Sequence, residues 1–72
     1  MSAVVRFRVY FRSPVTGRWK LQHGFESCVS AVDCAKNIAR SGHSAYVTKA
    51  TLDARTGLPL AERTISEHGR AA

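Results

Sequence analysis

From Val5 to Arg12 the chain alternates without a break: Val5, Phe7, Val9 and Phe11 share one parity, and Arg6, Arg8, Tyr10 and Arg12 take the other. A period of two sends successive side chains to opposite faces, so the pattern predicts a β-strand with one side on a core and one in water. Ser13, Pro14, Val15, Thr16 and Gly17 then supply turn chemistry, with Pro14 fixing φ and Gly17 free to adopt a positive one. Alternation resumes at Arg18. Trp19, Leu21, His23 and Phe25 fall on one parity and Arg18, Lys20, Gln22 and Gly24 on the other, which predicts a β-hairpin. If the apolar faces of both strands share one core, their basic faces emerge together.

The period changes next. Cys28, Val32, Ala35 and Ala39 form one helical stripe, with Ala31 and Ile38 beside it and Asp33, Asn37 and Arg40 opposite. Ser27 is the expected N-cap and Gly42 the expected stop, so the helix should run from about Cys28 to Ser41. On this wheel Cys28 is central and Cys34 peripheral. Ala45 to Leu52 is rich in β-branched and aromatic residues, Asp53 to Gly57 reads as a turn, and Leu58 to Ser66 completes a second hairpin. Its alternation is poorer, because Val47 shares a parity with Lys49 and Leu60 with Glu62, and the side facing the helix is left open. Thr16-Gly17 and Thr56-Gly57 resemble each other, but two residues are too few to argue duplication.

The elements sum to ββαββ, an α+β fold with a four-stranded antiparallel sheet and one helix packed on one face. Residues 1–66 form a single small domain and 67–72, lacking apolar anchors, a frayed tail. With 72 residues the chain has no room for a second domain, a deep catalytic cleft or an enclosed cofactor cavity, since a domain of this size buries only about 60% of its unfolded surface. A core under one helix is thin, so dimerisation through a sheet edge or the open face would add stability. No apolar run approaches the roughly 20 residues of a membrane span, and Met1 to Arg12 is unlike a signal peptide. The expected location is cytoplasmic.

Charge sharpens the picture. The net charge is +6, and residues 1–25 carry five cations and no acid. Those five, Arg6, Arg8, Arg12, Arg18 and Lys20, all take the parity assigned to solvent, with Tyr10 between them. Arginine pairs bidentately with phosphate or carboxylate and is easily desolvated, and Tyr10 can stack on a base or anchor an interface. The surface expected to bind is therefore Arg6, Arg8, Tyr10, Arg12, Arg18 and Lys20, and the expected ligand is DNA or RNA held with little sequence specificity. Four or five neutralised phosphates on a duplex imply a log–log salt slope near about −4. The alternative is a small adaptor or inhibitor, of the kind phages and other mobile elements encode, docking on the acidic surface of a partner protein. A third reading makes the basic face incidental and has an edge strand within Ala45 to Ser66 pair with a partner. A solvated strand face carrying ordinary basic residues, with Glu62 pairing part of the cluster, is the structural counter-reading.

Catalytic chemistry is not expected. No serine lies in a nucleophile elbow, no carboxylate pair is suggested, and no glycine-rich phosphate loop occurs. Cys28 and Cys34 lie about 9 Å apart along a helix, too far for a disulfide and poorly placed to share a metal, so neither metal nor cofactor is expected. Trp19 and His23, on the apolar parity, are expected in the core. A basic hairpin followed by a helix resembles the plant-type domains that read DNA with a sheet. Those place three strands before the helix and this chain two, so no residue role is transferred.

Overall fold

The computed structural model describes residues 3–69 and has five elements: β1 (Ala3–Arg12), β2 (Trp19–Phe25), α1 (Cys28–Arg40), β3 (Ser44–Asp53) and β4 (Pro59–His68). All neighbouring strands are antiparallel, in the order β2-β1-β3-β4, so the two hairpins meet along β1 and β3. The ββαββ architecture is the one the periodicities predict, and Val9 lies directly opposite Val47 at the join. β4 continues through Glu67 and His68, the latter paired with Ala45. Those two residues are therefore strand rather than tail, and residues 70–72 of the expected tail lie outside the described residues.

Both turns close by the same chemistry. Gly17 N–H donates to the Ser13 carbonyl at 2.8 Å and Gly57 N–H to the Asp53 carbonyl at 2.7 Å. The Ser13 hydroxyl accepts from Val15 N–H and the Asp53 carboxylate from Arg55 N–H, while Thr16 and Thr56 accept from the residue two positions on. The glycines have φ of +70° and +73°, a region that excludes most side chains, which is why each loop ends in glycine. The resemblance of two residues is thus a resemblance of five-residue turn geometry.

Helix α1 is capped where expected. The Ser27 hydroxyl accepts from Ser30 N–H at 3.5 Å, and after the Ser41 cap Gly42 turns with φ +91°. Ala31 and Ala35 are fully buried against Val9, Ala45 and Val47, with Phe7, Phe11, Phe25, Val32, Cys34 and Ile38 packed around them. The small helix residues allow close approach, and the phenylalanines fill the flanks. The buried stripe centres on Ala31 and Ala35. Cys28, at the first turn, is exposed while Cys34 touches the core, reversing the expected order. The apolar arc includes Val32 and Ile38 on either side of the alanines, so its centre falls one position away from the line through Cys28 and Ala39.

Thirteen helical residues span about 20 Å, whereas the ten-residue strands span about 34 Å. The helix therefore covers the Phe7–Phe11 end of the sheet only. At the other end Val5 is 38% exposed, and at the margin of the covered region Lys49, opposite Phe7, sits on the helix side yet in water. The molecule is a slab of 41 × 23 × 16 Å with one sheet face free of helix.

Candidate nucleic-acid interface

β1 delivers Arg6, Arg8, Tyr10 and Arg12 to the free face, because Phe7, Val9 and Phe11 are held under the helix and the strand pairs with β3 without interruption. Directly opposite them on β3 lie Ala50, Thr48, Tyr46 and Ser44. Paired residues of antiparallel strands share a face, so Tyr46 and Thr48 join the arginines. The rings of Tyr10 and Tyr46 stack with centroids 4.9 Å apart and planes 14° from parallel.

β2 departs from the expected arrangement. Val9 pairs with His23 but Tyr10 pairs with Leu21, leaving Gln22 as an extra, bulged residue. One inserted residue exchanges the faces of everything beyond it. Trp19 and Leu21 consequently stand on the free face, opposite Arg12 and Tyr10, and Lys20 stands on the helix side opposite Phe11. Lys20 therefore does not share a face with the arginines. Arg18 precedes β2, in the loop, with its backbone N–H on the Thr16 hydroxyl. His23 is exposed and lies edge-on to Phe25, and Trp19 is 44% exposed rather than buried.

Trp19 reaches over β1 to meet the Tyr46 ring edge-to-face at 4.8 Å, and the Arg12 guanidinium lies 5.0 Å from its centroid. Edge-to-face and cation–π contacts of this kind fix ring orientation. Tyr10, Trp19, Tyr46 and Arg12 form a π-cluster at one end of the face, bordered by Leu21, which is 53% exposed.

The other half of the face is polar. Glu62 of β4, paired with Ala50, accepts hydrogen bonds from three side chains: Arg8 Nη1 to Oε1 at 3.4 Å, Tyr10 Oη to Oε2 at 2.9 Å, and Thr48 Oγ1 to Oε2 at 2.6 Å. Thr48 is buried beneath this network. Burial pushes the Tyr10 phenol above its ordinary value of 10.0, the neighbouring Arg8 guanidinium opposes that, and the bond to Glu62 adds to it. Arg6 reaches Glu26 at 3.5 Å, an ion pair whose carboxylate is 83% exposed and so exchanges readily with other anions. Arg12 makes no ion pair among the described residues.

The face thus brings together Arg6, Arg8, Tyr10 and Arg12 of the expected set, leaves Arg18 in the loop before β2, and removes Lys20. It adds Trp19, Tyr46, Thr48 and Glu62, of which the sequence had offered only Glu62, as a partner for the cations. Elsewhere, no three His, Cys, Asp or Glu side chains among the described residues are grouped to hold a metal ion, and no helix is long and apolar enough to cross a membrane. Compared with known proteins, the chain matches no family model, no curated protein and no solved structure.

Proposed function

We propose that the helix-free sheet face binds single-stranded nucleic acid, stacking bases on the Trp19 end while Arg6, Arg12 and Arg18 take phosphates. The observation that carries this reading is the π-cluster: three aromatic rings and a guanidinium on the same face as the basic strand, with Trp19 left partly in water. Every base has a π-face, so stacking is tolerant of sequence and needs bases that are not already paired. A duplex hides those faces inside its stack. The same rings would gain nothing from it beyond phosphate contacts.

The revised geometry also changes the charge available. Arg8 is committed to Glu62 and Lys20 lies on the helix side, which leaves about three cations for phosphates and a slope near about −2 on a single strand, at roughly −0.7 per phosphate. Fluorescence anisotropy with labelled DNA and RNA single strands and the matching duplexes, at several salt concentrations, tests the proposal. Tighter binding of single strands, the shallow slope, and quenching of the single tryptophan, Trp19, are expected. Preference for duplex, or saturation without any change in Trp19 emission, overturns it. Binding to an acidic protein with no affinity for either nucleic acid would favour the adaptor reading instead.

A further inference from the structure

The pairing of Arg8 with Glu62 is unlike the rest of the face, because a carboxylate at the centre of a phosphate-binding surface repels the ligand's backbone. Its position is nevertheless fixed. Tyr10 and Thr48 both donate to Oε2 and fill that oxygen's lone pairs, whereas Oε1 receives only the long 3.4 Å contact from Arg8. Oε1 keeps an open acceptor position, with guanidinium N–H groups beside it. The side chains of Arg8 and Glu62 are 23% and 26% exposed, enough to be reached and dry enough to strengthen any hydrogen bond made there.

An acceptor next to a donor complements the edge of an unpaired base. Resting on the single-strand reading above, we propose that Glu62 and Arg8 read such an edge, Oε1 accepting an exocyclic amino N–H and Arg8 donating to the adjacent ring acceptor. Cytosine fits, with its N4 amino group next to N3. Uracil and thymine do not, because the amino group is replaced by a carbonyl whose oxygen meets the carboxylate. Stacking supplies sequence-tolerant affinity and this pair superimposes one preference, for bases bearing an amino group.

The test places one cytosine or one uracil at the centre of an oligothymidylate of about ten nucleotides, a length within the usual site range. The two ligands differ at that position only on this edge, by amino against carbonyl at C4 and by ring acceptor against ring N–H at N3. The wild-type protein should bind the cytosine oligomer about tenfold more tightly. Glu62→Gln, which keeps the side chain's shape, should bring the two within about twofold. Replacing the cytosine by its N4,N4-dimethyl form removes the donor without touching the protein and should abolish the preference, whatever the folding of the variant. Equal wild-type affinities, or a preference that survives Glu62→Gln or N4 dimethylation, overturn the inference while leaving the stacking reading intact. Failure of every single strand to bind overturns that reading and this one together.

Discussion

Replacing Trp19 by alanine separates a binding platform from a core. Trp19 is 44% exposed, contacts Tyr46 edge-to-face and lies under Arg12, so the folded state loses a half-buried ring, one aromatic pair and one cation–π contact. Partial burial together with these contacts gives a stability cost of about 1 to 2 kcal/mol. A tryptophan in the hydrophobic core, where uninterrupted alternation would place it, would cost about 3 to 5 kcal/mol. Binding should suffer separately: one lost base–aromatic stack is worth about 1 to 3 kcal/mol, or roughly 5- to 150-fold in Kd. Trp19→Phe, which keeps an aromatic face, should recover most of that loss. Denaturant unfolding followed by circular dichroism gives the first quantity and anisotropy of a labelled single strand the second, measured where the variant is still folded. A folded Trp19→Ala protein whose Kd is unchanged within about twofold would refute the platform, and a stability loss above about 3 kcal/mol would place the ring in the core after all.

Other consequences are equally direct. Gly17→Ala and Gly57→Ala each force a side chain into a positive φ and should each cost about 1 kcal/mol, similar to one another because the turns match, and additive in the double variant; denaturation midpoints check this. Burial raises the Cys34 thiol above its ordinary value of 9.0, while Cys28 is exposed at the helix start, so alkylation followed by peptide mass spectrometry should label Cys28 first. Because the Tyr10 phenol is raised in the folded state, the unfolded chain loses its proton first. The Tyr10 contribution is full below pH 10.0 and is lost as pH rises from there through the higher folded value, and Tyr10→Phe should flatten that part of an alkaline unfolding series.

How far the fold could be read from sequence depended on which strands kept an even count. Alternation in β1 translated directly into faces because β1 pairs with β3 residue for residue. The same alternation in β2 misled beyond His23, since a period of two records relative parity within a strand and carries no information about a residue inserted against the partner. Gln22 is that residue, and it carried Trp19 and Lys20 to the faces opposite those expected. The ambiguity in the second hairpin has the same cause in β4, where Leu60 and Ile65 are extra residues against β3, and a different one in β3. Lys49 shares the parity of Val47 because the helix is shorter than the strand, so one face of β3 is core at one end and solvent at the other. Choosing Ala45 and Val47 as the buried pair would have put Tyr46 and Thr48 on the open side and made the aromatic pair visible.

The bulge also explains why a face that looks overcharged in sequence is tolerable when folded. Had the register run on without a bulge, Lys20 would have stood opposite Arg12, two like charges facing one another across β1 and β2 at a cost of a few tenths of a kcal/mol or more. With Gln22 bulged, the cross-strand neighbours of Arg12 and Tyr10 are instead Trp19 and Leu21, and the one cation deepest in the face, Arg8, lies opposite Gly24 and meets Glu62. Cationic repulsion is exchanged for cation–π and apolar contact in the same step that brings Trp19 into water. Deleting Gln22 should therefore remove the bulge while keeping the pairing on either side of it, with Leu21 still opposite Tyr10, Lys20 opposite Phe11 and Trp19 opposite Arg12. Such a variant should bind single strands with the same shallow salt dependence and with quenching of Trp19, because the stacking surface is kept and no phosphate contact is gained. If it lost the quenching and bound with a steeper slope, the pairing of Leu21 with Tyr10 and of Trp19 with Arg12 would not be what builds the site.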